Sequence, residues 1–151
     1  MELNLDKAMG MGIKAQKAGH IKKANSIYTA ILRVKPYHPD ANHNMGILAV
    51  GIGRLQEALP FFKAALNAKP NNLQYWLSYI DTLIELGKIT DAKALFDQAK
   101  SIGAKGAAFD KIECKLRSLQ PINTTIAQNQ EPKLNTLKSL VAKRIALPLF
   151  E

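Results

Sequence analysis

From Pro39 to Asn72 the apolar residues fall into two runs with helical spacing, parted by a glycine-rich step. The first run covers about Asp40 to Val50 and is ended by Gly51 and Gly53. The second covers about Leu55 to Ala68 and is stopped by Pro70. Glycine suits a helix end because it takes positive φ without a Cβ clash, and proline cannot continue a helix. Gly46, Ala49, Ala58 and Ala65 are small where two helices must approach closely. Phe62 and Leu66 lie one turn apart on the face of Ala58. The pattern predicts two amphipathic helices folded back on each other through a tight turn.

This unit recurs every 34 residues. Ala24, Ala58 and Ala92 share one position, Tyr28, Phe62 and Phe96 a second, and Gly19, Gly53 and Gly87 a third. Pro36 and Pro70 match, with Ala104 where a third proline would fall. Met11-Gly12 and Met45-Gly46 match, with Tyr79-Ile80 in the third copy. Ile80 in place of a small residue predicts a wider helix pair there, and Ala104 predicts a different exit turn, built on Gly103 or Gly106. In the first copy, Gly10 and Gly12 each cost a helix about 1 kcal/mol relative to alanine, so that helix should fray unless the second copy covers it. Its second helix, Ile21 to Val34, carries the stripe Ala24, Ile27, Tyr28, Ile31 and Leu32. The third copy places Tyr75, Trp76, Tyr79, Ile80, Leu83 and Leu86 on one helix. Its second helix carries Ala92, Ala94, Leu95, Phe96 and Ala99, with Thr90 as N-cap.

A 34-residue helical hairpin period resembles the tetratricopeptide repeat, over roughly Leu5 to Gly106. The resemblance implies an all-α fold, a right-handed helical solenoid of three helix–turn–helix repeats at about 5–38, 39–72 and 73–106. A capping helix follows at 107–119, where Phe109, Ile112, Leu116 and Leu119 keep helical spacing and Asp110, Lys111, Glu113, Lys115 and Arg117 face out. With that cap the solenoid covers 1–119. Residues 120–131 lack helical period and read as a linker. Residues 132–151 read as an amphipathic C-terminal helix and tail, with the stripe Leu134, Leu137, Leu140, Val141 and Ile145 among Lys138, Lys143 and Arg144.

In such arrays the first helix of each repeat lines a concave groove that holds an extended peptide or a helix. Carried onto this chain, the resemblance implies a groove lined by Met9, Ile13, Gln16 and Lys17, then His43, Asn44, Ile47 and Val50, then Gln74, Leu77, Ser78, Asp81 and Glu85. Arrays that grip the acidic C-termini of heat-shock chaperones place basic and Asn side chains where this chain has Met9, Ile13, Asn44, Gln74 and Ser78. Only Asn44 matches, so that carboxylate clamp is absent. The remaining groove is apolar, which suits an amphipathic helix. The tail helix is one such partner, in its own chain or a neighbour's, since a linker of about twelve residues reaches about 40 Å. The expected role is therefore a protein–protein interaction scaffold with a protein or peptide partner, and a homo-oligomer would form if the tail exchanges between chains.

The chain has 151 residues, 47% of them hydrophobic and 22% charged, with one cysteine. That fits a single globular domain without a disulfide framework. No secretory signal opens the sequence and no apolar run approaches the roughly 20 residues of a membrane span, so a cytoplasmic protein is the expectation. The net charge of +9 concentrates at the ends: residues 1–38 carry +5 and residues 107–151 carry +3. No aromatics interleave with the basic residues as base-stacking would need, which leaves a basic nucleic-acid adaptor as the weaker alternative. A non-catalytic N-terminal module of a larger enzyme, such as a transferase, is the other. His38-Pro39-Asp40 reads as a turn and cap. His38 and His43 are five apart and do not share a helix face as metal ligands, and Cys114 has no histidine close in sequence. No catalytic constellation, cofactor motif or metal site is expected.

Overall fold

A computed structural model of the protein describes residues 4–120. Of these, residues 4–118 belong to the unit Met1–Ser118. It holds seven helices: α1 Leu5–Lys17, α2 Ile21–Val34, α3 Pro39–Gly51, α4 Leu55–Ala68, α5 Leu73–Glu85, α6 Ile89–Ser101 and α7 Ala107–Ser118. They pair as α1/α2, α3/α4 and α5/α6, and α7 packs against both α5 and α6. The odd helices touch one another in series, while α2, α4 and α6 do not meet. An array whose odd layer is in contact and whose even layer is splayed must curve with the odd helices inside. Residues 121–131 of the linker and the amphipathic stretch 132–151 lie outside the described residues.

The same turn is built three times within repeats. Gly19, Gly53 and Gly87 take φ of 76°, 78° and 72°. After each glycine, the next N–H reaches back to a carbonyl of the last turn: His20 to Ala15 at 2.9 Å, Arg54 to Ala49 at 2.8 Å and Lys88 to Leu83 at 2.9 Å. This left-handed closure satisfies carbonyls that the helix end would leave open. The turns between repeats differ: Pro36 and Pro70 end α2 and α4, and a side chain from the next helix closes each one. Asn42 donates to the Pro36 carbonyl at 3.0 Å, and the Trp76 indole donates to that of Pro70 at 2.7 Å. At the third exit, where Ala104 stands instead of proline, α6 ends with the glycine closure. Gly103 and Gly106 take φ of 89° and 122°, and the Ala104 N–H bonds Ala99 O at 3.0 Å. The substitution at this position thus switches the turn type, as its sequence implied.

Helix starts alternate too. Helices α1, α3 and α5 have side-chain caps: Asn4 accepts from Lys7 N–H at 3.0 Å, His38 Nδ1 from Ala41 N–H at 3.2 Å, and Asn72 from Gln74 N–H at 3.0 Å. Helices α2, α4 and α6 have no side-chain cap bond. Thr90 is therefore not an N-cap: α6 begins one residue earlier, at Ile89, behind Lys88. The glycine closure already fixes the chain's entry there.

Helices α1 and α2 pack at a glycine, as do α3 and α4. A Cβ on Gly12 would sit 2.5 Å from Tyr28 Cε1, and one on Gly46 would sit 2.5 Å from Phe62 Cε1. Helix α1 runs unbroken through Gly10 and Gly12 because the ring of Tyr28, fully buried, fills the space over Gly12. Ile80 replaces that glycine in repeat three, and α5 and α6 meet less closely than the other pairs. Gly46→Ala should destabilise the protein by about 1–3 kcal/mol through overpacking against Phe62. Gly51→Ala meets open space at the end of α3 and should be neutral or stabilising by up to about 1 kcal/mol. Urea unfolding of both variants checks the contrast, and equal losses would refute the glycine–aromatic account.

Candidate functional site

The inner face is carried by α1, α3 and α5, and every residue read from the sequence as groove-lining lies on these three helices. Their exposure divides them. Ile13 is 37% exposed, and Ile47, Val50 and Leu77 are half-buried. Met9 is only 7% exposed and packs in the core with Ala8, Ala15 and Tyr28, so it backs the groove rather than lining it. Lys17, Gln74 and Glu85 are exposed at the edges, while Gln16, His43, Asn44, Ser78 and Asp81 are half-buried.

The polar groups of this face bond to one another, mostly across repeats. Asn44 donates to the Tyr28 hydroxyl at 3.3 Å, and that hydroxyl donates to Gln16 Oε1 at 2.8 Å. Tyr28 belongs to α2; its ring passes over Gly12 and its phenol emerges between α1 and α3. This explains a tyrosine where repeats two and three have Phe62 and Phe96. One repeat further on, the Tyr75 hydroxyl donates to Asp40, His43 Nε2 and Ser78 Oγ lie 2.9 Å apart, and Gln74 donates to Ser78 at 3.4 Å. The His43 ring stacks on Tyr75 with centroids 4.7 Å apart and tilts against Phe62 at 5.7 Å. At the far end, Lys115 of α7 pairs with Asp81 at 3.4 Å.

Tyr28, Asp40, Tyr75 and Lys115 were not among the sequence-predicted site residues. The signal that could have found two of the links is arithmetic: Asp40 to Tyr75 and His43 to Ser78 are each 35 apart, one more than the period. That offset carries a residue to its neighbour on the adjacent odd helix. Burial raises the hydroxyls of Tyr28 and Tyr75 above their ordinary titration range, and for Tyr75 the Asp40 carboxylate adds to the rise. Both stay protonated and act as donors. Burial likewise holds the His43 imidazole below its ordinary value near 6.5, against smaller opposing effects of Asn44 and Asp40. His43 is therefore neutral at pH 7 and adds no charge to the face.

Among the described residues, no group of three His, Cys, Asp or Glu side chains converges as a metal site. No described helix is long and apolar enough to cross a membrane. Two family models described as tetratricopeptide repeat match the sequence, over residues 9–73 and 49–112. The chain belongs to the tetratricopeptide repeat family. Solved tetratricopeptide structures share its fold. The TPR2B domain of yeast Sti1, in a complex with pHsp70, superposes with a TM-score of 0.69 at 15% identity, covering 79% of this chain and 100% of that one. The first such domain of Spaghetti, bound to the HSP90 peptide SRMEEVD, gives 0.66 at 16% identity, covering 76% and 89%. A tetratricopeptide repeat protein from Parabacteroides merdae gives 0.70 at 17% identity, covering 95% of this chain and 54% of that one. No curated protein matches the sequence.

The depressed His43 sets a pH signature for the array. The unfolded chain takes up a proton near pH 6.5 and the folded chain only at lower pH. This contribution to stability is thus complete above pH 6.5 and declines as the pH falls below it. Urea midpoints at pH 7.5 and 5.5 should fall further for the native protein than for His43→Gln. An equal fall in both would show that His43 is not the group responsible.

Proposed function

We propose that this protein is an interaction scaffold whose inner face binds an amphipathic helix of a protein partner. One observation carries the reading. Ile13, Ile47, Val50 and Leu77 leave apolar side chains partly uncovered on the inner helices of three repeats, while neighbouring polar groups of that face are bonded to one another. A helix laid on that strip buries apolar surface at roughly 25 cal/mol per Å² and need not displace the internal bonds. The Sti1 domain, in a complex with pHsp70, and the Spaghetti domain, bound to an HSP90 peptide, are similar in fold, which supports a protein- or peptide-binding role. An acidic peptide end is not the ligand expected here, because Met9, Ile13, Gln74 and Ser78 supply no cation to receive it.

The stretch 132–151 meets the requirement by its sequence pattern, so it is the first ligand to test. A fluorescent peptide of residues 132–147 should bind saturably to a chain ending at Gln120. Ile47→Asp should weaken that binding about tenfold or more, because a carboxylate on the apolar strip must be desolvated. A peptide that fails to bind removes the tail as occupant, and binding indifferent to Ile47→Asp removes the groove.

A further inference from the structure

The seam between repeats one and two contains a cleft of about 370 Å³ that shares no residue with the inner-face strip. Its apolar lining comes from Ile21 of α2, Met45, Leu48 and Ala49 of α3, Ile52 just after α3, and Phe61 of α4. The repeat itself shows what this space lacks. The same seam one repeat later carries Leu59 where the first has Asn25, Leu83 where it has Ala49, and Tyr79 where it has Met45. Leu59 and Leu83 are buried in the core there, and Tyr79 and Leu86 pack against it. In the first seam Asn25 is exposed, and Ile52, the counterpart of Leu86, is 55% exposed. The second seam is filled from within, and the first is short of apolar bulk.

Charge limits what can fill it. Lys22 and Arg54 stand at the rim with one acid, Glu57, which Arg54 meets at 3.5 Å. Among the described residues, every ion pair lies between Arg54 and Arg117, so none of the basic residues of repeat one is neutralised by a carboxylate. We propose that this cleft is a second docking site, which takes a leucine or phenylalanine side chain flanked by acidic residues from another protein. The apolar lining favours an apolar side chain over a phosphate backbone, and the proposal does not depend on the inner-face reading.

The probe is a blocked pentapeptide with one central phenylalanine between glutamates, titrated into the full 151-residue chain and followed by amide and methyl NMR shifts. Saturable shifts should centre on Ile21, Met45, Ile52 and Phe61, and a serine in place of the phenylalanine should abolish them. Asn25→Leu, which copies Leu59, should weaken binding about tenfold by filling the cleft, while raising the thermal midpoint. Arg54→Gln should weaken it and reduce its salt dependence. Ile47→Asp should leave it unchanged, which separates this site from the groove. Shifts centred on Ile13 and Ile47, or binding untouched by Asn25→Leu, would overturn the proposal. So would an absence of binding. If the peptide does not bind but Asn25→Leu moves signals from residues 121–151, the occupant is the chain's own tail and the foreign partner is ruled out.

Discussion

The close approach of an aromatic ring to a helix glycine governs this structure. Tyr28 over Gly12 and Phe62 over Gly46 let paired helices meet where any Cβ would collide. Both rings are fully buried, and burying a large side chain stabilises by roughly 1.5–3 kcal/mol, more than the roughly 1 kcal/mol that glycine costs inside a helix. With the pairs locked, the odd helices fall into contact and the even helices splay. Curvature follows from that asymmetry, and with it the inner face. Repeat three reaches the same end by another route: Ile80 supplies bulk from the first helix, and the pair spreads to accept it.

The inner face is held mostly by bonds between repeats. Tyr28 ties α1 to α3 through Gln16 and Asn44, and Asp40–Tyr75 and His43–Ser78 tie α3 to α5. Half-buried hydrogen bonds of this kind add modestly to stability, about 1 kcal/mol each, but leaving one partner unmet costs more. Their larger effect is geometric. They fix the spacing of neighbouring repeats, and a strip whose spacing is already set orders fewer side chains on binding.

The 34-residue period made most of the fold legible. It places α2 and α4 at their observed bounds, and α3 and α7 within one residue, because glycine and proline punctuate each hairpin. Proline did not mislead even inside a helix: α4 runs through Pro60, which is exposed and loses one intrahelical bond. Three features escaped. Thr90 looked like a cap because the glycine closure that replaces it is a backbone device. Met9 looked like groove because its position on α1 is inward, but the wedge between α1 and α2 takes its flexible side chain. The phenols of Tyr28 and Tyr75 looked like core because a period assigns a face on one helix and says nothing of what a long side chain meets on the next.

The two ends of the array carry charged or polar groups where inner repeats carry apolar ones. Repeats two and three stack on the preceding repeat through Ala41 and Leu48, and through Tyr75 and Thr82, all buried. The same positions in repeat one are Lys7 and Lys14, both exposed, with Met11 between them. At the other end α7 occupies the place of a fourth repeat's first helix. Phe109 and Leu116 stand at those stacking positions and are buried against repeat three. The positions that would meet a second helix of its own, held by Gly46 and Ala49 in repeat two, are Cys114 and Arg117, both exposed. Charged and polar groups at stacking positions make both ends poor seats for another repeat, since burying them unpaired costs more than the contact returns. The inner strip and the under-filled first seam stay partly open along the sides of the array, the strip beside polar groups bonded to one another and the seam beside Lys22 and the Arg54–Glu57 pair.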